Sequence, residues 1–136
     1  MGKKEYIYEP TATSIVDYGD GRLKLEYGRT SESIEEVHEQ AMWIAGTLNI
    51  IRQDHDPKIK FRLLADLKKL YKISLDDRAR ALYKALIEQP YIERVACVGD
   101  AFSFTKVLTL SVLLVGKRKK FRFFFAIPDA RKWLKW

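Results

Sequence analysis

The sequence predicts an α/β fold, one domain built on a mixed β-sheet. Three observations lead there. A Gly-Asp-Gly turn joins two strand-like stretches near the N-terminus, helical and strand periodicities alternate from residue 34 onward, and no linker, repeat or low-complexity tract divides the 136 residues.

Taken in order, residues 5–8 read as an extended lead-in. "SIVDY" and "RLKLEY" flank "GDG", the signature of an antiparallel hairpin. In "SESIEEVHEQAMWIAGTLNII", Ile34, Val37, Ala41, Ile44, Leu48 and Ile51 recur at spacings of three and four, the stripe of an amphipathic helix. Its first turns carry Glu32, Glu35 and Glu36, which suit the positive end of the helix dipole, and "HDP" ends it. "KIKFRLLAD" begins with alternation and becomes continuously apolar, as a covered strand does, with Asp66 at its carboxyl end.

"KISLDDRARALYKALIEQP" predicts a helix with Ser74 as N-cap, Asp76 and Asp77 in the first turn, and Leu75, Ala79, Leu82 and Leu86 on one face. "YIERVACVG" predicts a strand, and Gly99-Asp100 turns into an apolar helix over 101–115 with Asp100 as its cap. "KFRFFFA" predicts the last strand, and Pro128 opens a final helix in which Trp133 is a buried anchor and Trp136 a frayed, exposed end. The predicted order is ββαβαβαβα, an N-terminal hairpin followed by right-handed β-α crossovers.

Three stretches carry a family resemblance: "LLADLKKLYKISLDDRARALYKAL", "IERVACVGDAFSF" and "KRKKFRFFFAIPDARKWL". The chain resembles the SpoIIAA-like STAS domains, and among them the small stand-alone STAS/SEC14-like proteins of bacteria, over residues 21–136; residues 1–20 form the lead-in and first strand of the same single domain. The resemblance implies a non-catalytic regulatory module that works by contacting other proteins, with some relatives binding lipids or nucleotides. It also implies that Ser74 corresponds to the phosphorylated serine of anti-sigma antagonists, although the surrounding "KISLDDRA" lacks the rest of that motif.

Composition narrows the function classes. The formal net charge is +7, but it is unevenly spread: residues 1–50 hold five Lys/Arg against nine Asp/Glu, a balance of −4, and residues 51–136 hold twenty against nine, a balance of +11. The basic excess permits acidic partners. Nucleic-acid binding would rest on charge alone, because no recognised motif accompanies it. A single cysteine, Cys97, excludes an intramolecular disulfide and a cysteine-rich metal site, and fits a reduced, cytoplasmic setting. The longest apolar stretch, residues 101–116, is shorter than a membrane span.

No residues announce a reaction, and neither a cofactor nor a metal is expected. His38 reads as structural, "DHDP" with His55 as a polar loop, and Cys97 as a buried, inert thiol. Asp66, Asp76 and Asp100 are candidates for a functional edge at the strand ends, where open α/β sheets place ligands, or else they fix turns and cap helices. The 101–115 helix has almost no polar face, so Phe104, Leu108, Leu110 and Leu114 are candidates for an interface or a ligand-facing wall. Lys117 to Lys120 read as a solvated connector. The expected partner is therefore a protein, with a homodimer or a lipid or other apolar ligand as the alternatives.

Overall fold

The computed structural model describes residues 2–113 and 120–136. Six strands form one sheet in chain order: β1 (Lys4–Tyr8), β2 (Thr13–Asp17), β3 (Arg22–Glu26), β4 (Phe61–Asp66), β5 (Ile92–Val98) and β6 (Phe121–Phe124). Four helices accompany them: α1 (Ile34–Gln53), α2 (Asp77–Ile87), α3 (Ala101–Leu113) and α4 (Ile127–Leu134). The junctions β1/β2 and β2/β3 are antiparallel; β3/β4, β4/β5 and β5/β6 are parallel.

The fold is thus the mixed α/β arrangement the sequence predicts, with one strand more. The lead-in is β1, paired with β2 from Lys4 opposite Asp17 to Tyr8 opposite Thr13. The turn after β2 depends on glycine at Gly19 (φ 86°) and Gly21 (φ 96°), and a Cβ on Gly21 would also stand 2.9 Å from the Lys60 carbonyl oxygen.

Alternate strand residues face opposite layers. Leu63 and Ala65 of β4 and Val95 and Cys97 of β5 point into the larger core, which holds Ile44, Leu48 and Ile51 of α1, Leu86 and Ile87 of α2, and Val107 and Leu110 of α3. Leu64, Ala96 and Val98 face the other way, against Ala130 and Leu134 of α4. The stripe of α1 is buried from Val37 to Ile51, while Ile34 in its first turn is exposed.

The C-terminal helix is held by two arginines. Arg62 Nη1 donates to the carbonyls of Leu134 and Lys135, and Arg94 Nη1 to that of Trp133, so cations from β4 and β5 meet the negative helix end. The Arg94 guanidinium also lies 5.0 Å from the centre of the Trp133 ring.

Trp136 corrects the expectation of a frayed, exposed end. Lys135 adopts a left-handed conformation (φ 59°, ψ 48°), and the Trp136 N–H returns to the Arg131 carbonyl at 3.0 Å, closing a Schellman-type turn. The indole is half-buried against the smaller core, with the Tyr18 ring 5.9 Å away. Trp133 is half-buried as well, against Phe124. Of the basic connector, Lys117, Arg118 and Lys119 lie outside the described residues, as does Leu114; Lys120 donates from Nζ to the Gln89 carbonyl at 3.1 Å.

Candidate functional site

An apolar cavity of about 100 Å³ lies between the sheet and the helices α1 to α3. Leu63, Ala65, Val95 and Cys97 form its floor, and Val37, Leu86, Val107 and Leu110 close it from the helices. Ser31, Lys72 and Ser74 also border it; Lys72 and Ser74 are exposed, which places its mouth at the loop before α2. The volume approaches that of an engineered apolar cavity of about 150 Å³ that stays dry and takes up benzene.

Two polar features interrupt the apolar wall. The Tyr27 hydroxyl donates to the Tyr83 hydroxyl at 2.9 Å, bridging the end of β3 and α2. Burial raises both phenols, Tyr27 well above its usual value and Tyr83 to about 12, so both stay neutral across the physiological range. Gln40, 5% exposed, also lines the cavity; its Oε1 accepts from Thr11 Oγ1 at 2.6 Å and Thr13 Oγ1 at 2.9 Å, tying α1 to the segment that leads into β2. Burial pushes the Cys97 thiol up to about 12, in keeping with the inert thiol the sequence suggests.

Of the sequence candidates, the cavity takes in Ser74 and Leu110, and not the three carboxylates. Ser74 is not the cap of α2. Asp76 is: its Oδ1 accepts from the Ala79 N–H at 2.9 Å, while Ser74 lies exposed in the loop before it. The carboxylate prevails because His38 Nε2, at 2.8 Å from Oδ2, holds it from α1. The Ala79 N–H first, and His38 second, lower the Asp76 pKa.

Asp66 and Asp100 act locally. Asp66 is buried and accepts from the Lys68 N–H at 2.9 Å, fixing the turn after β4. Asp100 is exposed and accepts from the Ser103 N–H at 2.8 Å, capping α3 and lowering its own pKa through that bond. Gly99 allows this start of α3: a Cβ there would stand 2.9 Å from Ser103 Cβ and 3.3 Å from Phe123 Cζ.

The two faces of α3 part company. Val107 and Leu110 are buried, whereas Phe102, Phe104 and Leu108 are exposed. Phe104 meets Phe123 and Phe125 with ring centres 5.3 and 5.8 Å away, and Phe125 is 63% exposed, so aromatic surface continues from α3 past the end of β6.

Sequence reasoning missed Tyr27, Gln40 and Tyr83. Gln40 carried a signal, since it stands at helical spacing between Val37 and Ile44, a polar residue inside the apolar stripe. The polar-loop reading of "DHDP" is corrected by His55, whose Nε2 reaches Asp17 Oδ2 at 2.7 Å with both side chains almost fully buried. Among the described residues, no cluster of His, Cys, Asp or Glu has the makings of a metal site, and no helix is long and apolar enough to cross a membrane.

No family model matches the chain, and no curated protein matches it. Among solved structures, the chain is similar to an uncharacterized protein from the DUF3478 family with a SpoIIAA-like fold from Shewanella loihica PV-4. The two share 19% identity at a TM-score of 0.49, and the match covers 98% of this chain and 94% of that one.

Proposed function

We propose that this chain is a non-catalytic binding protein that takes a small, largely apolar molecule into the cavity between the sheet and α1, α2 and α3. The cavity itself carries the reading. Its walls come from three helices and four strands, it has a mouth bordered by Lys72 and Ser74, and its interior is apolar apart from one glutamine and two tyrosines. The ionisable groups deepest in it, Tyr27, Tyr83 and Cys97, hold their protons well above neutral pH, which supports binding over acid–base chemistry.

The test is a thermal melt in buffer alone and in buffer saturated with cumene (isopropylbenzene). A ligand that fits raises the midpoint by mass action. Val107→Phe, which fills the cavity from α3, abolishes the rise. No rise in the parent protein overturns the reading.

A second reading has its own observation. Phe102, Phe104, Leu108 and Phe125 expose apolar surface on α3 and beyond β6, as a protein-interaction module of the cytoplasm would. Under this reading the chain self-associates or docks on a partner through that face, and Phe104→Ser with Leu108→Gln separates the complex without unfolding the chain. Leu110 is unsuited to the purpose, being 6% exposed and part of the cavity wall. Sedimentation that finds a monomer at high concentration removes the homodimer form of this reading.

A further inference from the structure

Over residues 101–110, the outward side chains of α3 need no water apart from Lys106. Phe102, Phe104 and Leu108 are exposed there, and with Phe125 they make four of the nine large hydrophobic residues exposed among the described residues. The two threonines on the same side are already paired within the helix. Thr105 Oγ1 donates to the Phe102 carbonyl at 2.8 Å and Thr109 Oγ1 to the Lys106 carbonyl at 2.7 Å, so covering this side strands neither hydroxyl proton.

The charge around this face has one sign. Residues 101–128, from the start of α3 into α4, hold Lys106, Arg122 and the run "KRKK" at 117–120, six basic residues, and no acidic one. Of the carboxylates that flank the stretch, Asp100 is engaged in capping α3 and Asp129 lies in the first turn of α4. Apolar surface within a uniformly basic stretch matches a partner that is anionic outside and apolar beneath, which is the makeup of a bilayer with anionic headgroups.

We infer that α3 and the end of β6 form a docking surface for an anionic lipid bilayer. Phe102, Phe104, Leu108 and Phe125 enter the headgroup boundary, while the Lys106 stem lies along it and its ammonium reaches lipid phosphate. With 13 residues α3 is too short to cross a bilayer, so it lies in the plane of the surface. A lipid surface is favoured over a protein because this side offers hardly any of the directional hydrogen bonds that fix a protein interface in register. The inference goes beyond the cavity and does not depend on it.

The test mixes the full chain with vesicles of phosphatidylglycerol and phosphatidylcholine in equal parts, and separately with phosphatidylcholine alone, and reads the bound fraction by co-sedimentation. Binding is expected to the anionic vesicles only, and it weakens as salt is raised. Phe102→Ser with Phe125→Ser lowers the affinity about tenfold or more through lost apolar burial. Lys106→Gln lowers it roughly fivefold, the share of one basic side chain near an anionic surface, and carries the test should the double variant fail to fold. No binding to the anionic vesicles, or binding that both variants retain in full, overturns the inference. Equal binding to the two vesicle types overturns it as well, because the anionic headgroup then plays no part. Should the parent ignore the vesicles and sediment as a dimer that Phe102→Ser with Phe125→Ser separates, the face belongs to a second copy and not to lipid.

Discussion

His38 Nε2 stands 2.8 Å from Asp76 Oδ2, so the second turn of α1 is fastened to the residue that caps α2. The two residues are 38 positions apart, and the loop that borders the cavity mouth runs directly before Asp76.

That relationship separates Asp76 from its neighbour. Ser74→Ala is expected to leave stability unchanged to within about 0.5 kcal/mol, as for an exposed residue with no structural role. Asp76→Ala removes the cap and the fastening together and lowers the melting midpoint; Asp76→Asn, still a competent cap, lowers it less. The pH dependence has a definite sign. The folded Asp76 pKa lies below its usual value, so its contribution is full above the unfolded value near ~3.9 and is lost as pH falls through the folded one. Melts of the parent and the Asn variant converge on acidification.

Thr13 is fully buried, donates to Gln40 Oε1 at 2.9 Å and accepts from the Gly28 N–H at 3.3 Å. Thr13→Val keeps the volume and leaves partners unpaired, at a cost of about 1–3 kcal/mol in urea denaturation. A neutral result would show that the threonine hydroxyls add nothing to the packing of α1.

At the alkaline end, Cys97 and Tyr83 act in the same direction. Both folded pKa values are raised to about 12, from 9.0 and 10.0 respectively, so the folded state retains protons that the unfolded state releases. Their contribution is full below about 8.5, declines as the pH climbs past the unfolded values, and is lost as it passes through the folded ones. Cys97→Ala flattens this decline between pH 9 and 11 in a series of urea denaturations, because each proton that the folded state keeps and the unfolded state has released costs ~1.4 kcal/mol of stability per unit of pH. Thiol reagents at pH 8 then react with the parent only at its opening rate.

Leu110 and Leu108 lie two residues apart on α3 and differ in role. Leu110→Ala costs about 2–5 kcal/mol and enlarges the cavity. Leu108, 48% exposed, tolerates Ala within about 0.5 kcal/mol. Equal losses at the two positions would mean that α3 is covered on both sides.

Most of the fold was legible because it is local. Period-two and period-three-to-four patterns place β2 to β6 and α1 to α4, and Asp100 caps α3 as its position after Gly99 suggests. What escaped depends on partners far along the chain. Ser74 and Asp76 are both good caps in "SLDD", and only His38, brought in by the packing of α1 on α2, favours the second. His55 finds Asp17 across 38 residues, and Tyr27 finds Tyr83 across 56, neither distance visible in a local pattern. Trp136 is retained by the left-handed backbone of Lys135, a conformation for which glycine or asparagine would have been the signal. The cavity was hidden for a different reason: it is a shortfall of side-chain volume among residues that each look like ordinary core.

The strand order has a consequence for how the chain is made. Because every strand pairs with the one before it in sequence, each newly synthesised strand meets a partner that has already emerged, and the sheet can grow from its N-terminal edge during translation. The exception is α4, which must fold back over β4 and β5 before Arg62 and Arg94 can engage its last carbonyls. Until it does, Leu64, Ala96 and Val98 stay uncovered, so the emerging chain presents one packed and one bare side of its sheet until α4 docks.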